Sequence, residues 1–293
     1  MKKYLVLLFI LSVLTILITI FIYSPYLARE RGFIVDKVKA FTNRPQKVKL
    51  EEGVVYTPTP TPTPSPLTYL VIVLDDFGYE DKLIDRLHEL SIPVNPSIIP
   101  FLSYSKYVLK RAKEYGLDPL LHLPMEPMNP SLNPGKGAIY TSFSDEEIKK
   151  RTENALDAME GVIGVNNHMG SRATTSERVM KDVISVIKAH NLFFLDSLTI
   201  SSSVGYKVAK KEGLPELKRD IFLDNYKDED YIRGQLEKLV KIAEKKGSAI
   251  GIGHANAITI NTIEDFLPIF KKRHIAIISL KNYVEKGLYS GKN

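Results

Sequence analysis

The sequence predicts an α/β protein whose larger part is a (β/α) barrel of seven or eight strands, preceded by an N-terminal transmembrane helix. From Leu67 onward, short apolar runs alternate with longer stretches of three-to-four apolar spacing, the pattern of parallel strands joined by helical crossovers. About 225 residues of such alternation suit a barrel better than an open doubly wound sheet. No glycine-rich phosphate loop follows any predicted strand, which argues against a nucleotide-binding fold.

At the start of the chain, Lys2 and Lys3 precede Leu5–Tyr23, 19 residues without a charge, a length that fits a bilayer-spanning helix. The run ends in Ser24-Pro25-Tyr26-Leu27-Ala28, a poor cleavage site. Residues 1–27 are therefore expected to stay as a membrane anchor, with a cleaved signal and secreted product as the lesser alternative. The paired lysines place the start of the chain inside and the rest outside, an extracytoplasmic protein of cell surface or periplasm. Residues 28–56 are charged and read as a short stalk. In residues 57–66 proline alternates with threonine or serine, removing backbone donors and fixing φ. This linker predicts an extended polyproline II spacer of roughly 30 Å. Residues 67–293 form the barrel domain.

Composition narrows the chemistry. The chain is 44% apolar and 25% charged, as an ordinary globular protein is. It has no cysteine, which excludes disulfides and thiolate metal sites. A metal must then be held by His, Asp or Glu. The net charge of +6 is scattered, without a dense basic tract, so nucleic acid is not an expected partner.

Predicted strands are Tyr69–Leu74, Ile92–Ile99, Pro119–His122, Val162–Asn166, Leu192–Leu195, Asp220–Leu223, Ser248–Ile252 and Ile275–Ile278. Between them, helices are predicted over Glu80–Leu90, Ser103–Tyr115, Asp145–Glu160, Thr175–His190, Ser202–Lys211, Glu229–Lys246 and Thr262–Arg273. Ser144 and Glu147 have the spacing of a capping box.

In a (β/α) barrel, the site forms at the carboxyl ends of the strands. Those ends carry Asp75 and Asp76, His122, the Asn166-Asn167-His168 run, Asp196, Asp224 with Asn225, and His254. His88, His190 and His274 fall in or beside helices and read as surface or packing residues. Side chains alternate along a strand, but a turn at Phe77-Gly78 lets both acids of the first strand face the mouth. Paired carboxylates can divide labour, one binding a cation and the other taking a proton.

The segments Val-Leu-Asp-Asp-Phe-Gly (73–78), Leu-His-Leu-Pro-Met-Glu-Pro (121–127), Gly-Val-Asn-Asn-His-Met-Gly-Ser-Arg (164–172), Phe-Leu-Asp-Ser (194–197) and Ile-Gly-His (252–254) resemble the divergent polysaccharide deacetylases. These are carbohydrate esterases with a NodB-like barrel, and the resemblance covers nearly all of Leu67 to about Leu280. It implies Asp75 as general base, Asp76 as a metal ligand, and His168 as the first histidine of a His-x-x-x-His motif. At the second histidine's position stands Arg172, which cannot coordinate a cation. His122, from a neighbouring strand end, could restore a two-histidine, one-carboxylate site. His254 matches the general acid, and Asp196 could orient its imidazole. Arg172 or the backbone near Asn167 could steady an oxyanion, and Asn167 and Glu126 are candidates for binding substrate.

The expected function is metal-dependent removal of N-acetyl groups from a cell-envelope polysaccharide such as peptidoglycan, with zinc the expected metal. One alternative is a non-catalytic glycan-binding or envelope-organising protein that keeps the barrel. Another is an amidase or esterase using the same site. Each metal-dependent reading requires Asp76, His122 and His168 to meet within reach of one cation.

Overall fold

The structure, a computed structural model, describes residues 67–290. The anchor, stalk and linker expected over residues 1–66 lie outside the described residues. Among those described, no helix is long and apolar enough to cross a membrane.

Among the described residues nine strands, all parallel, build one curled sheet: β1 (Thr68–Phe77), β2 (Asn95–Ile98), β3 (Leu120–Met125), β4 (Gly164–Met169), β5 (Phe193–Asp196), β6 (Leu217–Lys218), β7 (Ile221–Phe222), β8 (Ser248–His254) and β9 (Ile275–Ile277). The order is β6-β5-β4-β3-β2-β1-β8-β7, with β9 also paired to β1. A short strand that the sequence reading did not include, β6, comes just before the predicted Asp220–Leu223, which forms the short β7. The first pairs with β5 and the second with β8. Between them, Arg219 N–H donates to Asp196 O and Asp220 N–H to Ile250 O. One segment thus links the two ends of the sheet.

The helices are α1 (Leu83–Glu89), α2 (Ser105–Glu114), α3 (Asp145–Ala158), α4 (Glu177–Ala189), α5 (Gly205–Lys211), α6 (Glu229–Lys246), α7 (Ala257–Lys272) and α8 (Leu280–Glu285). The α6 span matches its prediction because both ends carry stop signals. Asp228 accepts the Tyr231 N–H at one end, and Gly247, at φ +85°, ends the other. At α3 half of the expected capping box forms. Ser144 Oγ accepts the Glu147 N–H at 3.3 Å, while the Glu147 carboxylate turns forward to Arg151. Helix α7 starts five residues before its predicted start at Thr262, because Asn256 accepts the Thr259 N–H and caps it. Helix α8, which the sequence reading did not include, is capped by Ser279.

Side-chain alternation sorts the strands into two faces. Leu70, Ile72, Leu74, Leu121, Val165 and Phe194 face the helices, in the large outer core. Val71, Val73, Leu120, Phe193, Leu195, Ile250 and Ile252 point into the lumen and pack together, with Leu280 and Tyr283 of α8 joining them. An apolar layer therefore fills the barrel. The next residues of inward parity are Asp75, His122, Asp224 and His254.

Candidate metal centre

Strand β1 delivers two acids to one place by carrying one extra residue. Its register with β2 runs Val73 to Asn95 and Leu74 to Pro96, then slips so that Phe77 meets Ile98. Asp76 sits at that slip with φ +66°, a left-handed conformation unusual for a residue other than glycine. The turn expected at Phe77-Gly78 is made one residue earlier, by Asp76 itself. Asp75 keeps the inward parity of Val73, and the slip turns Asp76 toward the same mouth.

Three side chains converge there. Asp76 Oδ1 lies 2.9 Å from His168 Nδ1 and 3.3 Å from His122 Nε2. One ligand atom from each lies within 4.8 Å of the other two. Asp76 Oδ1 is buried yet receives no hydrogen bond, so neither imidazole is oriented to donate to it. A buried carboxylate oxygen without a donor is costly unless something else satisfies it. Donor atoms about 2 Å from a tetrahedral zinc would be about 3.4 Å apart, so the spacing fits a shared cation.

The tautomer of His122 supports the same fit. Asn166 Nδ2 donates to Asp75 Oδ1 at 2.8 Å and approaches Ser197 Oγ at 3.3 Å. Its other terminal atom must then be the oxygen, which accepts from Ser97 Oγ at 2.5 Å and faces His122 Nδ1 at 2.8 Å. His122 Nδ1 is therefore the N–H. In neutral His122 the lone pair is on Nε2, the ring nitrogen 3.3 Å from Asp76 Oδ1 and free to coordinate. Asn166 is fully buried, and one amide sets both the ligand and the neighbouring acid.

Burial raises the Asp75 pKa and prevails over the opposing field of His122. Burial also raises Asp76, but His122 and His168 outweigh it and hold that carboxyl far below the usual range. Two adjacent acids are thus driven in opposite directions. Burial lowers His122, yet Asp75 and Asp76 more than reverse this and raise its pKa.

On the other side of the mouth, His254 is opposite Asp75 in register. Its Nδ1 is 3.1 Å from Asp224 Oδ1, and its Nε2 is 3.9 Å from Asp76 Oδ2. Asp224 is held by the His254 N–H, Asn256 Nδ2 and Thr259 Oγ1. Burial lowers the His254 pKa, but the Asp224 carboxylate prevails and raises it.

Asp196, Asn167 and Glu126 are engaged by other groups of the fold. Asp196 does not orient His254. It has outward parity beside Phe194, and its oxygens accept from Leu198 N–H, Ser203 Oγ and Tyr206 N–H. Asn167 is buried with its amide bonded to Met169 O and Ser197 N–H, so it braces the strand ends and presents nothing to a substrate. Arg172 is half exposed, with Nε 3.9 Å from Glu126. Glu126 Oε2 accepts from both N–H and Oγ1 of Thr141, which ties β3 to its following loop. The sequence reading placed Asn166 and Asp224 at strand ends without giving either a role, and passed over Arg219. The Arg219 guanidinium donates to the carbonyls of Ser197 and Leu198 and lies against Phe222.

A family model described as divergent polysaccharide deacetylase matches residues 72–284. An uncharacterized Haemophilus influenzae protein is 35% identical over 195 residues, 67% of this chain and 69% of that protein. The uncharacterized protein YibQ of Escherichia coli is 31% identical over 199 residues. That match covers 68% of this chain and 62% of YibQ, less than two thirds of its length. The crystal structure of an uncharacterized Agrobacterium tumefaciens protein superposes with a TM-score of 0.69 at 24% identity, over 74% of this chain and 89% of that one. The last likeness concerns the fold.

Proposed function

This chain belongs to the divergent polysaccharide deacetylase family, and from that premise we propose that it hydrolyses N-acetyl groups on a cell-envelope glycan. The observation that carries the reading is Asp76 Oδ1, buried without a hydrogen bond between two imidazole nitrogens. Asp76, His122 and His168 would hold one divalent cation, zinc by ligand type. Three protein ligands with an open position are the composition of catalytic zinc sites, so Arg172 in place of a second motif histidine does not disable the centre.

The cation, when bound, supplies Lewis acidity that polarises the acyl carbonyl and acidifies water. Asp75 takes the proton of the attacking water, its Oδ1 held by Asn166 and its pKa raised by burial to suit a base. His254, fixed by Asp224 at Nδ1, presents Nε2 to the mouth and protonates the departing amine. The products are acetate and a free amino sugar. The apolar run and proline tract before Leu67 suit an anchored enzyme working outside the membrane on a polymer that cannot diffuse to it.

The test is acetate release from N-acetylated chito-oligomers and peptidoglycan fragments, with metal content measured on the same sample. About one divalent ion per chain is expected, with release lost on chelation and restored by zinc. A chain that takes up no metal and releases no acetate would overturn the proposal.

A further inference from the structure

Beside Asp76 a cleft of about 280 Å³ opens along one side of the mouth, between the loop after β1 and the residues after β8. Lys227, in the loop between β7 and α6, lines it and is the only lysine or arginine among the described lining residues. The Lys227 ammonium has no hydrogen bond or ion pair with another described residue. Glu80 also lines the cleft but does not pair with it. Tyr79, 63% exposed, lines the cleft too and offers an apolar ring to one face of a sugar. Asp76 and Lys227 thus line the same cleft and offer two points of recognition.

We infer that the Asp76–Lys227 cleft is a subsite for an anionic sugar, with Lys227 receiving a carboxylate carried on or next to the residue that bears the acyl group. This inference rests on the proposed deacetylase reading and narrows its substrate class to acidic glycans. A neutral glycan would leave the ammonium to water, whereas a carboxylate gives it a partner. Glu80 offers acceptor oxygens to ring hydroxyls. The carboxylate could belong to a uronic acid or to a lactyl ether, and both present the same group to Lys227.

The full-length, zinc-loaded chain is compared on three matched N-acetylated oligosaccharides: one neutral, one with a uronic acid and one with a lactyl ether. KM for acetate release and Kd for binding are measured for each. At least one carboxylated compound is expected to show a KM and Kd lower by up to about fivefold, the size of one exposed charge pair. Which one does so identifies the source of the carboxylate. Lys227→Ala should erase that preference, Lys227→Glu should invert it and Lys227→Arg should keep it. The preference should also shrink as salt is raised through the physiological range. Equal constants for all three compounds, or a preference that survives Lys227→Ala, would overturn the inference. If no compound releases acetate, the deacetylase reading has failed, and the Kd values still decide the subsite by the same criteria.

Discussion

At the amino end of the barrel, His190 Nε2 lies 2.8 Å from Glu153, as short a contact as the 2.9 Å between His168 and Asp76 at the carboxyl end. A cavity of about 380 Å³ opens beside His190, larger than the cleft at the mouth, with Asp157 and Glu160 also in its wall. Yet the His190 pair is open to water, and among the described residues no third ligand joins it. The backbone differs too. At the amino end the left-handed residues Ser91, Asn191 and His274 follow α1, α4 and α7, where helices ordinarily stop. At the mouth, Asp76, Met169 and Leu198 fall at or just past the ends of strands, where that conformation has no such routine use. A histidine close to a carboxylate, or a roomy cavity, therefore does not mark a site. Convergence, burial and an unsatisfied donor atom do.

That contrast can be broken by substitution, most severely at Asp75. Asp75→Asn should lower acetate release by about 10²- to 10⁴-fold while metal content stays near one per chain. Substantial activity in that variant would remove Asp75 from the proton transfer. Asn166→Ala should leave the ligands in place but free the His122 ring, weakening metal affinity about 10- to 100-fold in competition with a chelator. An unchanged affinity would mean that the amide has no part in setting the ligand. Asp224→Asn removes the carboxylate that raises His254. The protonated acid is then lost at lower pH, so the alkaline limb of the rate profile should move toward acid, with about a tenfold loss of rate. A stationary limb would point to another acid. His190→Ala, at the other end, should change stability by no more than about 0.5 kcal/mol and leave turnover alone. A large effect there would erase the distinction between the two ends.

Much of this was legible before any coordinates. Strand-end position singled out Asp75, Asp76, His122, His168 and His254 without knowledge of which strands are neighbours. Asp196 shows where that reasoning stops. Its strand, Phe193-Phe194-Leu195-Asp196, is buried along its whole length and carries no polar alternation to reveal which face looks inward. Only packing shows that Phe193 and Leu195 face the lumen while Asp196 does not. The choice of Asp224 over Asp196 also depends on sheet order, because β7 lies beside β8 and β5 does not. Asn166 did leave a trace, since it lies two residues before His168 and shares its face. Its partnership with His122 needed the β3–β4 register, which no local pattern encodes. The helix errors were smaller: β-branched residues after Asn256 hid the first turn of α7.

Beneath the polar ring, the apolar layer of Val73, Leu120, Leu195 and Ile252 makes the barrel a blind well rather than a tunnel. Under the proposed activity, a glycan chain would lie across its rim and not thread through, so units in the middle of a strand would be as accessible as terminal ones.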